Sequence, residues 1–241
     1  MKDLQVFKDY YGLVATDNQG TKIYGWENIS QERKCEAIEI EEDGGMYGYV
    51  HKGTIHIKDN GRKYVVKEGQ WFSTKSKISI IPNDGPYRIC AFQKLDYDGM
   101  STIGLVEDYG RLNYIDGCKD TILSNPIKKG MPCLNALYMP DGVHQTMHTH
   151  PSTRCGFIII GGARAVTPNS DTLLETGMIF YLPTDTEHKF VTDFGEFKIM
   201  KLVAYHPDSD YGATDEVHPM INRTIVDGVS ASKIKSIQTK T

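Results

Sequence analysis

The sequence predicts an all-β protein built from two successive modules. Helical periodicity is weak throughout, whereas short apolar or alternating runs recur between glycine, proline, asparagine and aspartate residues. The length of 241 residues suits one large domain or two modules of about one hundred residues each. Runs of this length and spacing are typical of β-sandwiches and β-barrels. Representative runs are YRICAFQKL, FIIIGGARAV, GMIFYLP and FKIMKLVAYH.

The composition indicates a soluble globular protein that acts on a small molecule. Hydrophobic residues make up 39% and charged residues 24% of the chain, which is the balance of a folded domain rather than of a disordered or fibrous one. The net charge of −4 is spread without a long acidic or basic block. Because such a distribution offers no electrostatic footprint to nucleic acid or to a membrane surface, we expect neither partner.

The cysteine pattern and the start of the chain predict a cytoplasmic protein. The first stretch, MKDLQVFKDYYGLVATDNQG, lacks the charged and apolar regions of a secretory signal, and no later run has the length of a membrane span. The five cysteines contain no C-x-x-C pair. We therefore expect neither a disulfide framework nor a zinc ribbon.

Glycine spacing indicates an internal duplication. Gly53 and Gly69 are 16 residues apart, as are Gly161 and Gly177, and the two pairs are offset by 108 residues. Each pair brackets an arriving strand, a turn, an outgoing strand and a return strand, and glycine tolerates the positive φ that tight turns require. The predicted parts are an N-terminal arm (1–33), a first β module (34–104), a second β module (105–206) and a polar C-terminal tail (207–241).

Three histidines of the second module form a candidate metal site. Alternate residues of a strand point to the same face, so His148 and His150 project together. Pro151 begins a turn after them, and His188 follows a later strand. Three imidazoles inside a barrel would bind a divalent transition metal and leave coordination positions open for water, substrate or dioxygen.

At this point the spacing resembles that of a known family. Two stretches have the pattern of the cupin motifs: Gly142-x5-His148-x-His150-x3-Arg154-x6-Gly161 and Gly177-x5-Pro183-x-Asp185-x2-His188. The chain resembles a bicupin over roughly residues 35–205, although Asp185 stands where the second motif usually has glycine. The resemblance implies two jelly-roll β-barrels in one chain, with the metal in the C-terminal barrel. It leaves the reaction open, because cupins include dioxygenases, isomerases, decarboxylases and binding proteins.

The position of the usual glutamate ligand is altered. A gap of three residues after His150 places Arg154 there, and a gap of four places Cys155 there and ends the motif at Gly162. A guanidinium cannot bind a cation, so Arg154 would be a fixed positive charge suited to a substrate carboxylate. A thiolate at Cys155 could instead join the ligands. The stricter spacing favours Arg154.

The duplication predicts that the first module lacks a metal. Positions 108 residues before the three histidines hold Ile40, Glu42 and Ile80. We therefore expect the first module to be a degenerate cupin that contributes stability or subunit contacts. The acidic run at residues 41–43 is interpreted as an exposed turn, with a carboxylate ligand set as the alternative.

Other polar side chains were assigned by strand alternation. His144 and Tyr138 share the parity of His148. His144 is either an acid or base beside the metal or a surface histidine. Tyr138 either faces the cavity or packs in the core with its hydroxyl bonded to backbone. His206 and His218 each precede a proline in the tail, and we expect neither to be related to the metal.

The leading functional prediction is a dioxygenase-type cupin. Fe(II), with Mn, Ni or Zn as alternatives, would be held by the three histidines, and Arg154 would bind the carboxylate of a small anionic substrate. The second hypothesis is a non-oxidative isomerase, lyase or hydratase of a keto acid or sugar acid, in which His144 or a tyrosine moves the proton. The third is a small-ligand binding or sensor module. Sheet edges that pairing can cover suggest a homodimer.

Overall fold

The protein is almost entirely β-structure. The computed structural model describes residues 3–75, 77–192 and 198–239, with 50% of the chain in strands and 6% in helices. This confirms the predicted β class. None of the helices in the described residues is long and apolar enough to cross a membrane.

The strands are numbered along the chain. Those before residue 106 are β1 (Gln5–Phe7), β2 (Tyr11–Thr16), β3 (Thr21–Glu27), β4 (Ile38–Ile40), β5 (Gly44–Lys52), β6 (Thr54–Asp59), β7 (Arg62–Lys67), β8 (Gln70–Thr74), β9 (Ile78–Pro82), β10 (Arg88–Leu95) and β11 (Thr102–Leu105). Those of the second half are β12 (Leu112–Asn113), β13 (Lys119–Ser124), β14 (Cys133–Met139), β15 (Arg154–Val166), β16 (Asp171–Glu175), β17 (Ile179–Leu182), β18 (Lys189–Val191) and β19 (Met200–His206). The tail contains α1 (Pro219–Arg223), β20 (Ile225–Val226) and β21 (Val229–Ser230), and short 3₁₀ turns lie at Ile115–Gly117, Ala231–Lys233 and Lys235–Ile237.

The two halves repeat one strand order. The large sheet of the first half runs β11-β8-β5-β10-β3-β2, and that of the second runs β1-β17-β15-β19-β14-β13-β12. Strands at the same place in the two sheets also occur in the same order along the chain, except at one edge. There β1, from the start of the chain, pairs with β17 of the second half, and β11 pairs with β8 of the first. The topology therefore agrees with an internal duplication.

The segment expected to be an N-terminal arm is part of both sheets. The strands β2 and β3 lie in the large sheet of the first half, where Ile23 and Trp26 are buried. The strand β1 pairs with the second half, and the Tyr10 hydroxyl donates to the carbonyl oxygen of Gly177 there. The domain limits near residues 33, 104 and 206 stay predictions.

Each large sheet faces a smaller layer. In the first half that layer is the sheet β4-β9-β6-β7. In the second half β16 and β18 pair with the far end of β15, and single-residue bridges join His144 to Val191 and His148 to His188. Among the described residues no sheet closes on itself. By their strand pairing, the two halves are therefore two-layered sandwiches. That each half forms a separate closed barrel stays a prediction.

The glycines that indicated the duplication have the backbone conformation expected of them. The φ angles of Gly53, Gly69, Gly161 and Gly177 are +85°, +82°, +73° and +92°. At Gly161 a Cβ atom would lie 1.9 Å from the carbonyl oxygen of Ile199. Only glycine satisfies both the left-handed φ and this close approach.

The hydrophobic core has three parts, because the large sheets bury both faces. In β10, Ile89 and Ala91 point into the first half, whereas Cys90 and Phe92 point toward the second half. The ring of Phe92 stacks on that of Tyr205 with centroids 5.5 Å apart. We call this shared layer the intermodule core; its buried members are Tyr10, Ile23, Tyr47, Tyr49, Trp71, Cys90, Phe92, Leu134, Cys155, Phe157, Ile159, Ile179, Tyr181, Val203 and Tyr205.

The place in the first half that corresponds to the histidines is apolar. In the pairing of β4 with β9, Ile38 lies opposite Ile80 and Ile40 opposite Ile78. Three of these four isoleucines are buried in the interior of the first half. The acidic run at residues 41–43 is exposed, as interpreted from the sequence, and Glu42 forms an ion pair with Lys22.

The tail begins by packing against the loop between β13 and β14. The amide of Gly130 donates to the carbonyl oxygen of Ser209 at 2.7 Å, and Lys128 pairs with Asp215 at 2.8 Å. Farther along, the Nδ1 atom of His218 accepts from the Met220 amide and so caps α1. His218 therefore has a structural role, in agreement with its exclusion from the metal site.

Candidate functional site

The three predicted histidines meet at one point in the second half. The potential ligand atoms of His148, His150 and His188 all lie within 4.8 Å of one another. Their ring centroids are 4.5 to 5.1 Å apart. His188 is almost fully buried, and the other two rings are half-buried. The set is a candidate metal centre.

Backbone hydrogen bonds hold the three histidines together. The amide of His148 donates to the carbonyl oxygen of His188 at 3.0 Å, and the amide of His188 donates back at 2.9 Å. The carbonyl oxygen of His150 accepts from the amide of Asp185 at 3.0 Å. Asp185 has a φ of +60°. It thus adopts the left-handed conformation for which the cupin motif usually has glycine, and aspartate tolerates that conformation better than most residues.

The ring orientation leaves one nitrogen of each anchored histidine for a ligand. The Nδ1 atoms of His148 and His188 lie 2.7 and 2.9 Å from the carbonyl oxygens of Thr146 and Thr186. A carbonyl oxygen only accepts, so Nδ1 carries the proton and the lone pair remains on Nε2. This backbone support is a common feature of metal-binding histidines.

Burial keeps two of the three histidines neutral. It lowers the pKa of His150 to about 3, with Arg154 and the two other rings acting in the same direction. It lowers the pKa of His188 to about 4, and the backbone bond to Thr186 opposes the shift. At pH 7 these imidazoles are therefore unprotonated, which is the state that binds a metal ion.

The donor set fits a divalent transition metal. Within the described residues, no carboxylate or thiolate joins the three imidazoles in this group. Nitrogen ligands suit iron, zinc, copper and nickel, whereas magnesium and calcium prefer oxygen. The residues present therefore fit such an ion and leave part of its coordination sphere for other ligands.

Two adjacent cavities with shared lining residues lie at the candidate metal centre. The inner chamber has a volume of about 90 Å³ and contains the three histidines together with Leu137, Gln145, Phe180, Leu182, Phe190, Leu202 and Ala204. The outer basin has a volume of about 740 Å³ and opens toward the start of the tail. Five residues line both cavities and form what we call the collar: Tyr114, Asp120, Asn135, Arg154 and His206.

Arg154 is anchored in the collar by one end of its guanidinium. Its Nη1 atom donates to the carbonyl oxygens of Ser152 and Thr153 at 3.1 and 3.0 Å and to the Ser152 hydroxyl at 2.6 Å. That hydroxyl in turn donates to Asp208. The Nε atom is buried and has no hydrogen-bond partner. A buried unpaired donor is costly, so a ligand oxygen at this guanidinium would be favourable.

Cys155 lies on the opposite side of β15. Its side chain is fully buried in the intermodule core, and burial raises the pKa of its thiol well above the usual value. Alternation along the strand therefore directs Arg154, and not Cys155, toward the chamber. Of the two motif registers, the structure supports the one with Arg154.

Two other sequence-predicted residues lie away from the cavities. The Tyr138 hydroxyl donates to the carbonyl oxygen of Glu107 at 2.7 Å, and Lys201 lies 5.3 Å from its ring centroid. The residues of β14 that do face the chamber are Asn135 and Leu137. Parity with the histidines was misleading because the chain turns after β14, and alternation does not continue through a turn. Of the two alternatives for Tyr138, the structure therefore supports the one in which its hydroxyl is bonded to backbone, and its side chain lines neither cavity.

His144 occupies an exposed position. It forms a single-residue bridge with Val191 and lines neither the inner chamber nor the outer basin. A role for its imidazole as an acid or base at the metal stays a prediction that this placement does not favour.

Sequence reasoning assigned only Arg154 of the five collar residues to the site and missed the other four. Burial raises the pKa of Asp120 to about 6, while a hydrogen bond from the Asn135 side chain opposes the shift. Burial lowers the pKa of His206 well below its usual value, and Arg154 and His150 act in the same direction. His206 therefore lines both cavities without belonging to the histidine group that could hold a metal. The signal for it was alternation along β19, where Leu202, Ala204 and His206 all face the cavity.

Comparison with known proteins identifies the fold. No family model matches the sequence, and no curated protein is significantly similar to it. Among solved structures, a cupin 2 conserved barrel domain protein from Leptotrichia buccalis is similar, with a TM-score of 0.58, 14% identity and coverage of 86% of this chain and 89% of that one. The chain has a cupin-like fold.

Two further solved structures support this fold. A putative glyoxylate induced protein from Pseudomonas aeruginosa has a TM-score of 0.61 and 11% identity, with 88% of this chain and 83% of that one covered. A salicylate 1,2-dioxygenase from Pseudaminobacter salicylatoxidans has a TM-score of 0.57 and 11% identity, with 78% and 70% covered. Identities this low establish the shared cupin-like architecture, and the function must be argued from the site.

Proposed function

We propose that this chain is a bicupin whose second half is a metal-dependent oxygenase for a small carboxylate-bearing substrate. The observation that supports this best is the presence of Arg154 in the same small chamber as three imidazoles, of which burial keeps those of His150 and His188 neutral. A neutral ligand set leaves the full charge of a divalent ion available, and the guanidinium adds a second positive group. Both attract an anionic substrate that can chelate.

The metal would be held by His148, His150 and His188. We propose Fe(II), which when bound would supply Lewis acidity and one-electron redox chemistry toward dioxygen. The salicylate dioxygenase among the similar structures shows that this architecture supports an oxygenase. That likeness concerns the fold and adds weight to the proposal without deciding it.

The other residues of the chamber would bind and shield the substrate. Arg154 would fix the carboxylate, since its anchored Nη1 atom leaves the rest of the guanidinium for a ligand. The apolar side chains of Phe180, Leu182 and Phe190 would exclude water from the reacting group. Exclusion of water strengthens the attraction between a carboxylate and a guanidinium.

Oxygen consumption tests this proposal. Protein reconstituted with Fe(II) should consume dioxygen when a panel of small carboxylates is added, and Arg154→Gln should lower the rate at subsaturating substrate by about a hundredfold while retaining iron. Lys201→Gln, a change of charge outside the cavity, is the matched control. Turnover of carboxylates without oxygen uptake would refute the oxygenase, and binding without any turnover would indicate a ligand-binding module.

A specific residue favours a second candidate function. Asp120 is a buried carboxyl in the collar with a pKa raised to about 6, which suits a group that accepts and returns a proton near neutral pH. In an isomerase, lyase or hydratase it would take the role that the sequence gave to His144 or a tyrosine. Anaerobic turnover with Mn(II) or Zn(II), lost in Asp120→Asn, would favour this function. The homodimer and the cytoplasmic location stay predictions.

A further inference from the structure

The unequal sizes of the two cavities limit what can reach the metal site. The inner chamber, at about 90 Å³, is smaller than the roughly 150 Å³ cavity that admits benzene in an engineered core. It can accept the few heavy atoms of a substrate's reacting end. The outer basin, at about 740 Å³, falls within the usual range for small-molecule sites. A substrate that fills the site therefore has a small head and a larger tail.

The collar between the cavities has one unpaired donor and one unpaired acceptor. The Nε atom of Arg154 and the Oδ1 atom of Asn135 are both buried without a hydrogen-bond partner. The Nδ2 atom of Asn135 is already bonded to Asp120. Because Arg154 and Asn135 line the same two cavities, the head of a substrate would suit both if it combined a carboxylate with a nearby hydrogen-bond donor.

The outer basin has an apolar rim. Leu112, Tyr114 and Tyr211 are large side chains that line it and remain 51%, 40% and 55% exposed. Apolar side chains that converge on one cavity gain from covering by an apolar ligand. Asp208 and Asp210 also line the basin, and their charges oppose a second carboxylate there.

From these observations we infer that the substrate is a monocarboxylate with a hydroxyl or amino group on the adjacent carbon and an apolar tail of several carbons. Its head lies in the collar and inner chamber, and its tail lies in the outer basin against Leu112, Tyr114 and Tyr211. The inference rests on the proposed function for the location of the reacting end. It goes further in naming the chemical class of the substrate.

Isothermal titration of the full chain loaded with Zn(II), which is redox-inert, tests the inference. The probes are lactate, 2-hydroxyhexanoate, norleucine, hexanoate and malate. 2-Hydroxyhexanoate should bind at least about tenfold more tightly than lactate, since each buried methylene contributes about threefold. Hexanoate lacks the hydrogen-bond donor. It should bind about tenfold more weakly than the tighter of the two donor-bearing probes, 2-hydroxyhexanoate and norleucine. Malate should bind no more tightly than lactate.

Variants assign each effect to its residue. Tyr211→Ser should reduce the advantage of 2-hydroxyhexanoate over lactate while leaving the lactate Kd unchanged, and Asn135→Leu should remove the advantage over hexanoate. Ile160→Ser, an exposed apolar residue outside both cavities, is the control. Equal affinity for lactate and 2-hydroxyhexanoate would overturn the tail assignment, and equal affinity for hexanoate and both donor-bearing probes would overturn the head assignment.

Failure of this inference can be distinguished from failure of the proposed function. If iron-loaded protein consumes dioxygen with some carboxylate but the zinc-loaded protein shows no dependence on tail or donor, the substrate class is wrong and the oxygenase stands. If the binding series behaves as expected but no carboxylate supports oxygen uptake, the substrate class stands and the oxygenase is wrong.

Discussion

His148 and His188 exchange two backbone hydrogen bonds, with N···O distances of 3.0 and 2.9 Å. This pair fixes two distant segments of the chain relative to each other before any metal binds. Each ring is also held by a carbonyl oxygen two residues earlier in sequence. The ligand nitrogens are therefore preorganised, and preorganisation lowers the entropic cost of binding an ion.

Loss of one ring should remove the metal. We expect His148→Ala and His150→Ala to lower the metal content of protein purified without chelators by more than about tenfold, because loss of even a supporting group costs 10- to 100-fold in affinity. Inductively coupled plasma mass spectrometry gives the ratio of metal to protein, and circular dichroism verifies folding. His144→Ala, an exposed histidine four residues before His148, is the control. Equal metal content in all four proteins would eliminate the proposed centre.

The hydrogen-bond chain from Asp208 through Ser152 to Arg154 should control carboxylate binding without affecting the metal. The Ser152 hydroxyl donates to Asp208 and accepts from Arg154. We expect Ser152→Ala to weaken binding of 2-hydroxyhexanoate by about three- to tenfold, which is the range for one ordinary hydrogen bond, because Arg154 keeps its bonds to two carbonyl oxygens. Calorimetry measures the Kd, and metal content should stay constant. Asp210→Asn is the control, because it removes a nearby charge that is not part of this hydrogen-bond series. If it weakened binding as much as Ser152→Ala, the role of the hydrogen-bond series would be contradicted.

The motif glycine Gly161 should be far less replaceable than a turn glycine with the same conformation. Gly161 and Gly61 have φ angles of +73° and +79°. A Cβ at Gly161 would clash with the Ile199 carbonyl oxygen, whereas a Cβ at Gly61 would meet no heavy atom within 4 Å. Gly61→Ala should cost about 1–2 kcal/mol of unfolding free energy from backbone strain alone. Gly161→Ala should cost at least about 2 kcal/mol more. Urea unfolding measures both losses. If the two variants lost the same unfolding free energy, the backbone near Ile199 would accommodate the added Cβ at little cost.

Local periodicity predicted the features that depend on neighbouring residues. The β class and the duplicated turns follow from alternation and glycine spacing, both of which act over a few residues. His148 and His150 converge as predicted, but they lie outside the strands, and His148 forms an isolated bridge to His188. The motif spacing added His188, from another strand, because a shared fold fixes the distance along the chain. The motif spacing also favoured Arg154 over Cys155 at the position of the usual glutamate ligand.

The collar could not be predicted in the same way. Asp120 and Asn135 meet through the pairing of β13 with β14, and nothing near either residue in sequence signals that contact. One alternative for Tyr138 placed it at the cavity because alternation was carried through a turn, and His206 was set aside because it precedes a proline at the start of the tail. Tertiary pairing, rather than local pattern, decides which side chains enter the cavity.

Asp120 should destabilise the protein at neutral pH. Burial raises its pKa from 3.8 to about 6. Between these pH values the folded protein holds a proton that the unfolded chain has released, so unfolding free energy falls as the pH rises through this window. At pH 7 the metal-free Asp120→Asn protein should therefore be about 1–2 kcal/mol more stable than the natural sequence, after allowance for partial solvent screening. The difference should disappear near pH 4. Urea unfolding at pH 4, 5.5 and 7 measures it, with Asp141→Asn at the surface as the control. If the Asp120→Asn protein were less stable at pH 7, the Asp120 carboxylate would be well paired in the fold. In that case the acidic side chain would carry no stability cost, and the argument that it is retained for proton transfer would fail.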